Sequence, residues 1–317
     1  MRFGFYLPTR GKTCTPEALT TIVQHAEKSG FLSTMVGDHL VFPVTVNSTY
    51  PYTASGVFPG GGEAMEQLST IAFLAAKTTT LRLVTSVLIV PQRNPVATAK
   101  VLSTIDVLSG GRLTLGIGVG WMREEFEALD SQDFDRRGAV TDEYVKIFKA
   151  LWTGEAVSFA GRFYRFDAVR CLPRPVQAPH IPIWIGGSTK AALRRTASYG
   201  DGWHPVGANP AVPLPPDELI RSRDELFRQT EANGRDPKKI TISYKVPVSD
   251  PALVAFYAKN GEKPPFSGTL EEIVEDTARY AKLGVSELIF DFRSENLAES
   301  LERMERFSAV IRQTGAM

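Results

Sequence analysis

The feature that most constrains this chain is its rhythm. Short, β-rich apolar runs alternate with amphipathic helical stretches from one end of the 317 residues to the other. A chain built this way buries its strands in a parallel sheet covered by helices. Arg2–Leu7 reads as a first strand, and Thr15–Ser29 as a helix with Thr15 as cap, Pro16 in the first turn and Gly30 as the stop. Leu19, Ile22, Val23 and Ala26 form the buried stripe of that helix. Thr34–Gly37, Leu81–Val90, Leu113–Ile117, Ile181–Ile185, Gly202–His204, Ile240–Val246 and Val285–Phe290 read as further strands. The helices between and after them are expected at Glu63–Lys77, Pro95–Leu108, Arg123–Leu129, Asp135–Trp152, Thr189–Tyr199, Asp217–Asn233, Leu270–Lys282 and Leu297–Arg312. Thr269 and Glu272 have the spacing of a capping box.

About eight strand–helix units without a dividing linker suit a closed (β/α)₈ barrel covering residues 1–317 as one domain. A doubly wound open sheet is the alternative, but no glycine fingerprint follows the first strand. The expected departures from the repeat are a hairpin insertion at about 155–170 and loop insertions at about 40–62, 205–216 and 247–268. The first of these loops is rich in Tyr, Phe and Pro, suiting a lid over an apolar molecule, or else a mobile surface loop.

Charge narrows the function classes. With 36 Lys and Arg against 35 Asp and Glu, the chain has no global attraction to nucleic acid or anionic membrane. It carries no stretch of eighteen apolar residues and no apolar targeting core near Met1, so a cytoplasmic protein is expected. Cys14 and Cys171 do not make a disulfide framework, and His25, His39, His180 and His204 are scattered singly, so no metal site is expected.

In a barrel of this kind the chemistry lies at the C-terminal ends of the strands. There the sequence puts Gly37-Asp38-His39, where a carboxylate beside an imidazole suits an acid/base pair, or else a turn cap beside a satisfied loop histidine. Ile185-Gly186-Gly187-Ser188 runs from a strand into a helix, with Ser188 as the expected cap. It is either a phosphate turn or a plain tight turn. Thr85-Ser86-Val87 sets two hydroxyls in an apolar strand, facing a cavity or bonded to a neighbouring carbonyl. Gly116, Gly118 and Gly120 alternate at another strand end, where they would clear space for a flat ligand.

Taken in order, GDH at Gly37–His39, the run from Thr85 to Asp130 and the run from Pro182 to Pro205 resemble the luciferase-like superfamily of flavin and F420 enzymes over essentially the whole chain. The resemblance implies a barrel with insertions and a flat redox ring across its mouth. It puts Ser86 and Val87 at a strand bulge, often a non-proline cis peptide, that backs the ring. It further implies Ile185, Gly186, Gly187 and Ser188 at the phosphate, Asp38 beside the ring, and His39 as proton donor or acceptor. Where a sugar-phosphate dehydrogenase branch carries a catalytic glutamate this chain has Trp121, and Glu124 replaces that branch's ring-contacting asparagine. The run after Gly120 looks instead like the F420-associated branch. The expectation is hydride transfer between coenzyme F420 and a small organic substrate. The rivals are an FMN-dependent monooxygenase, with a partner flavin or F420 reductase, and a non-catalytic flavin-binding barrel. A homodimer is the family-level expectation.

Overall fold

In the computed structural model, residues 1–61, 64–207, 209–246, 251–259 and 261–315 are described. The chain runs β1 (Arg2–Tyr6), α1 (Pro16–Lys28), β2 (Ser33–Val36), α2 (Gln67–Lys77), β3 (Arg82–Thr85), β4 (Leu88–Ile89), α3 (Pro95–Leu108), β5 (Leu113–Gly118), α4 (Arg123–Ala128) and α5 (Arg137–Leu151). It continues through β6 (Ala156–Ala160), β7 (Arg165–Arg170), β8 (Ile183–Gly186), α6 (Lys190–Tyr199), β9 (Gly202–His204), α7 (Pro216–Ala232) and β10 (Thr241–Lys245). The last elements are α8 (Pro251–Ala258), α9 (Leu270–Lys282), β11 (Glu287–Phe290) and α10 (Leu297–Gln313).

The strands pair in the order β3-β2-β1-β11-β10-β9-β8-β5, and β3 also pairs with β5. Every one of these pairings is parallel, so the sheet closes on itself as a (β/α)₈ barrel. Strand alternation then sorts the side chains. Phe3, Phe5, Leu83, Ile183 and Leu288 face outward into the core under the helices. Met35, Val84, Trp184 and Ile289 form a separate cluster inside the barrel, with Tyr6 packed on it. The Trp184 indole fills interior space that a side chain at position 202 would need, since a Cβ on Gly202 would lie 2.3 Å from it. This interior layer is the floor of the mouth.

The local signals work as expected at several ends. Thr15 accepts from the Ala18 N–H at 3.2 Å, and the Thr269/Glu272 capping box is formed. β6 and β7 form the expected hairpin, an antiparallel ladder apart from the barrel sheet. Two expectations change. The apolar run Leu81–Val90 is two strands, β3 and β4, broken at Ser86–Val87, whose peptide bond is cis, as the resemblance implied. Within the expected 247–268 loop lies the helix α8, which an apolar stretch after a proline did not distinguish from loop. The expected helix start at Glu63, and residues 247–250 of that loop, lie outside the described residues. Among the described residues no helix is long and apolar enough to cross a membrane.

Candidate functional site

The strand ends of the barrel surround one cavity of about 380 Å³. Asp38, His39, Ser86, Val87, Gly186 and Gly187 all line it, so the expected segments after β2, β3 and β8 do converge. Glu124, Ile185 and Ser188 do not line it. Ile185 is packed in the core under the helices. Glu124 instead accepts from the Asn47 and Ser48 N–H groups at 2.7 and 3.0 Å, holding the long loop that follows β2. Ser188 is not the helix cap: Thr189 is, accepting from the Ala192 N–H at 3.2 Å. Both residues are good cap formers, and only the backbone path decides between neighbours.

The acid/base pair is also rearranged. Asp38 turns away from His39 and takes both guanidinium nitrogens of Arg93 at 2.7 Å, together with the Ile89 N–H at 2.8 Å. Its side chain is fully buried and that of Arg93 is 9% exposed, so this ion pair is a brace tying the end of β2 to β4. His39 pairs with Glu125, Nδ1 to Oε2 at 3.0 Å, and Glu125 Oε1 accepts from the Leu40 N–H at 2.8 Å. Burial alone would push the Glu125 carboxyl up, but His39 and the backbone donor outweigh it and hold it below the usual carboxylate value. An ionised Glu125 only accepts, so Nδ1–H of His39 donates, and Nε2 is the ring nitrogen left for other partners. Sequence reading missed Glu125 because it lies 86 positions from His39, on α4, among other glutamates.

The glycines of β5 serve a different purpose from the one expected. A Cβ on Gly116 would come 2.1 Å from the Thr85 carbonyl oxygen, and one on Gly118 would come 2.5 Å from Val87 Cγ2. They make room for the broken segment between β3 and β4 rather than directly for a ligand. The Thr85 hydroxyl, in turn, donates to the Gly116 carbonyl at 2.7 Å, so of the two hydroxyls only Ser86 faces the cavity. Gly186 likewise accommodates Val87, 2.8 Å from where its Cβ would be. Gly187 has φ +95° and only the Ala192 Cβ near its Cβ position, so the turn before α6 stays open.

On the opposite wall, His204 is wholly enclosed. Its Nδ1 donates to the Ser243 carbonyl at 2.9 Å, so its Nε2 accepts from the Ser86 hydroxyl at 3.0 Å, and Ser86 accepts from Tyr6 at 3.0 Å. Burial, with Lys245 nearby, pushes the imidazole down to about 4, so it is neutral near pH 7. The Lys245 ammonium lies 4.0 Å from the centre of the Tyr6 ring. Beyond it, Arg293 holds Asp291 through Nε at 2.8 Å and Nη2 at 2.5 Å. The sequence places Lys245–Pro247 and Asp291–Arg293 at strand ends, where barrel chemistry is sought, but it gives neither segment a role.

Over the mouth, the loop after β2 supplies Phe42, Tyr50, Tyr52 and Phe58, which line the cavity with Trp121; Phe42, Phe58 and Trp121 cage His39. The imidazole centre lies 5.2 Å from Phe58, 5.7 Å from Phe42 and 6.1 Å from Trp121. Asn209 donates to the Pro51 carbonyl at 3.0 Å, joining this loop to the one after β9. From the latter, Val206 and Pro210 line the cavity. Among the described residues no group of three or more His, Cys, Asp and Glu is placed to hold a metal.

A closed parallel barrel whose mouth is a cavity lined by both aromatic and charged side chains has the architecture of a small-molecule site. Residues 1–250 match the family described as luciferase-like monooxygenase, and the chain belongs to that family. It is 30% identical to the FMNH(2)-dependent dimethylsulfone monooxygenase of Pseudomonas putida, over 68% of this chain and 54% of that one. Its fold is similar to the monooxygenase RslO1 from Streptomyces bottropensis, with a TM-score of 0.77 at 23% identity over 99% of both chains. It is also similar to an F420-dependent secondary alcohol dehydrogenase, with a TM-score of 0.74 at 18% identity over 99% of this chain and 98% of that one. The proteins it is similar to thus include an FMNH(2)-dependent relative in sequence and an F420-dependent neighbour in fold.

Proposed function

We propose that this protein transfers a hydride between coenzyme F420 and a small organic substrate, with His39 as the acid/base. The observation that carries the reading is the His39–Glu125 pair in its aromatic cage. Moving a hydride to or from a carbon–oxygen centre requires a proton at the oxygen, and His39 is built to hold one. Glu125 fixes the Nδ1–H tautomer, while Phe42, Phe58 and Trp121 surround the ring. The similarity to the F420-dependent alcohol dehydrogenase supports the same reading.

The residues fit a flat, phosphorylated cofactor. Gly187 leaves the start of α6 open, where free N–H groups and the helix dipole suit a phosphate. Val87, braced between Gly118 and Gly186, would back the ring, and Ser86 would lie at its edge. Bound there, the deazaflavin supplies a carbon that accepts or releases hydride. The chain's part is to hold that face against the substrate, exclude water with the loop after β2, and move a proton at His39 Nε2.

Titration of the purified protein with F420 and with FMN, followed by fluorescence, tests the reading. Micromolar F420 binding with no FMN binding is the expected result, followed by loss of the oxidised cofactor's visible absorbance on addition of a secondary alcohol or other hydride donor. FMN binding with oxygen consumption, or tight binding of either cofactor with no turnover of any donor or acceptor, would overturn it.

A further inference from the structure

We propose that the substrate is an organic acid, an apolar or aromatic body bearing a carboxylate, and that Lys245 receives the carboxylate with Arg293 as a second positive neighbour. The inference rests on reading the mouth as a redox cavity and adds the charge class of what enters it.

The charges lining the cavity carry the argument. Its carboxylates are Asp38 and Asp291, and its fixed cations are Arg10, Lys245 and Arg293. Asp38 is neutralised by the two-pronged contact from Arg93, which lies behind the wall. Asp291 is taken at both oxygens by Arg293. Lys245 remains. Among the described residues no carboxylate lies within ion-pair distance of its ammonium, which rests on the face of Tyr6. The Tyr6 hydroxyl donates to Ser86, and no hydrogen bond joins it to the Lys245 ammonium. The backbone at Lys245 is held from both sides, its N–H donating to Pro205 at 3.1 Å and its carbonyl accepting from Gly207 at 3.0 Å. A partly buried cation so held, facing the cavity with no carboxylate of its own, is better placed once an anion arrives.

Two features assign that anion to the substrate. The open glycine turn proposed for the cofactor phosphate follows β8, whereas Lys245 ends β10, with β9 and its neutral His204 between them. The same cavity is lined by Tyr50, Tyr52 and Phe58 of the lid, aromatic faces suited to a carbon skeleton rather than to a second phosphate.

The groups facing the ammonium are Tyr6 on β1, Arg10 after it, His204 on β9, and Asp291 and Arg293 after β11. Burial, with the two arginines against Asp291, pushes Lys245 down to about 8. Affinity for an anion is therefore present below that value and lost as pH rises through it, after allowance for the upward shift that the bound anion itself causes.

The test is calorimetry on the full chain, with and without the cofactor it takes up, using benzoate, phenylacetate and 4-phenylbutyrate against the matching amides. At least one acid should bind at least tenfold more tightly than its amide at pH 7. Lys245→Met should abolish that preference and Lys245→Arg should keep most of it. In the unsubstituted protein the preference should fade between pH 7 and 9.5 while amide binding stays level, a readout that needs no variant to fold. Three results would each overturn the proposal: no acid preferred over its amide, a preference that survives Lys245→Met, or Lys245→Met weakening cofactor binding by the same factor as acid binding. A Lys245-dependent acid preference in protein that binds neither F420 nor FMN supports the anion site and removes the redox reading. Cofactor uptake without acid preference does the reverse.

Discussion

The two walls of the mouth each carry a histidine, and the two are built for opposite ends. His39, after β2, has a carboxylate on one nitrogen and its other nitrogen available, within a cage of aromatic edges. His204, at the end of β9, is sealed, with a backbone carbonyl on one nitrogen and a hydroxyl on the other. His39 has a carboxylate partner at 3.0 Å, whereas His204 is desolvated with no anion beside it and is held neutral. On the proposed reading the first imidazole exchanges protons, whereas the other is a rigid neutral strut that fixes Ser86 and Tyr6. Residue type alone does not separate these roles; the partner does.

The comparison can be broken most directly at His39. His39→Ala should lower turnover by about 10²–10⁴-fold with little change in the urea midpoint, and Glu125→Gln should lower it less. Activity unchanged in His39→Ala would end the acid/base assignment. The next largest effect is on the brace behind this wall. Arg93→Met leaves the Asp38 carboxylate buried and unpaired, at a cost of about 3–5 kcal/mol in unfolding free energy, and adding Asp38→Asn should restore part of it. A loss under 1 kcal/mol would mean Asp38 finds water or another donor.

His204 predicts a pH dependence of stability. Its folded value of about 4 lies below the ordinary 6.5, so between those values the unfolded chain binds a proton that the native one does not. Its contribution is fully present above about pH 6.5 and is lost as pH falls toward 4, amounting to roughly 3 kcal/mol. His204→Gln should flatten the difference between urea midpoints at pH 7 and pH 5. An unchanged difference would show that other groups carry it. Smallest is Gly187→Ala, where a side chain has room but φ is +95°, costing about 1–2 kcal/mol in stability. If that turn holds a phosphate, cofactor affinity should fall with it; an unaltered Kd would move the phosphate elsewhere.

Much of the architecture was legible because it depends on local chemistry. Thr15 and Pro16 start α1, and the Thr269–Glu272 box starts α9. Strand ends named the segments that meet at the mouth. Partners across the barrel were not legible. Glu125 and Glu124 are neighbours of one residue type, yet one orients His39 and the other ties down Asn47 and Ser48.

What the sequence determined by itself was periodicity: alternating apolar runs and helical stripes that bury only as strands roofed by helices, with glycines and caps marking their ends. What only the tertiary structure decided was which charge meets which. Closing the barrel brings β2 against β3, and β8 within two strands of β10. Side chains far apart along the chain are thereby set a few ångströms apart in a space with little water. At that range the nearest opposite charge, rather than the sequence neighbour, settles whether a group is a brace, an acid/base or a free cation.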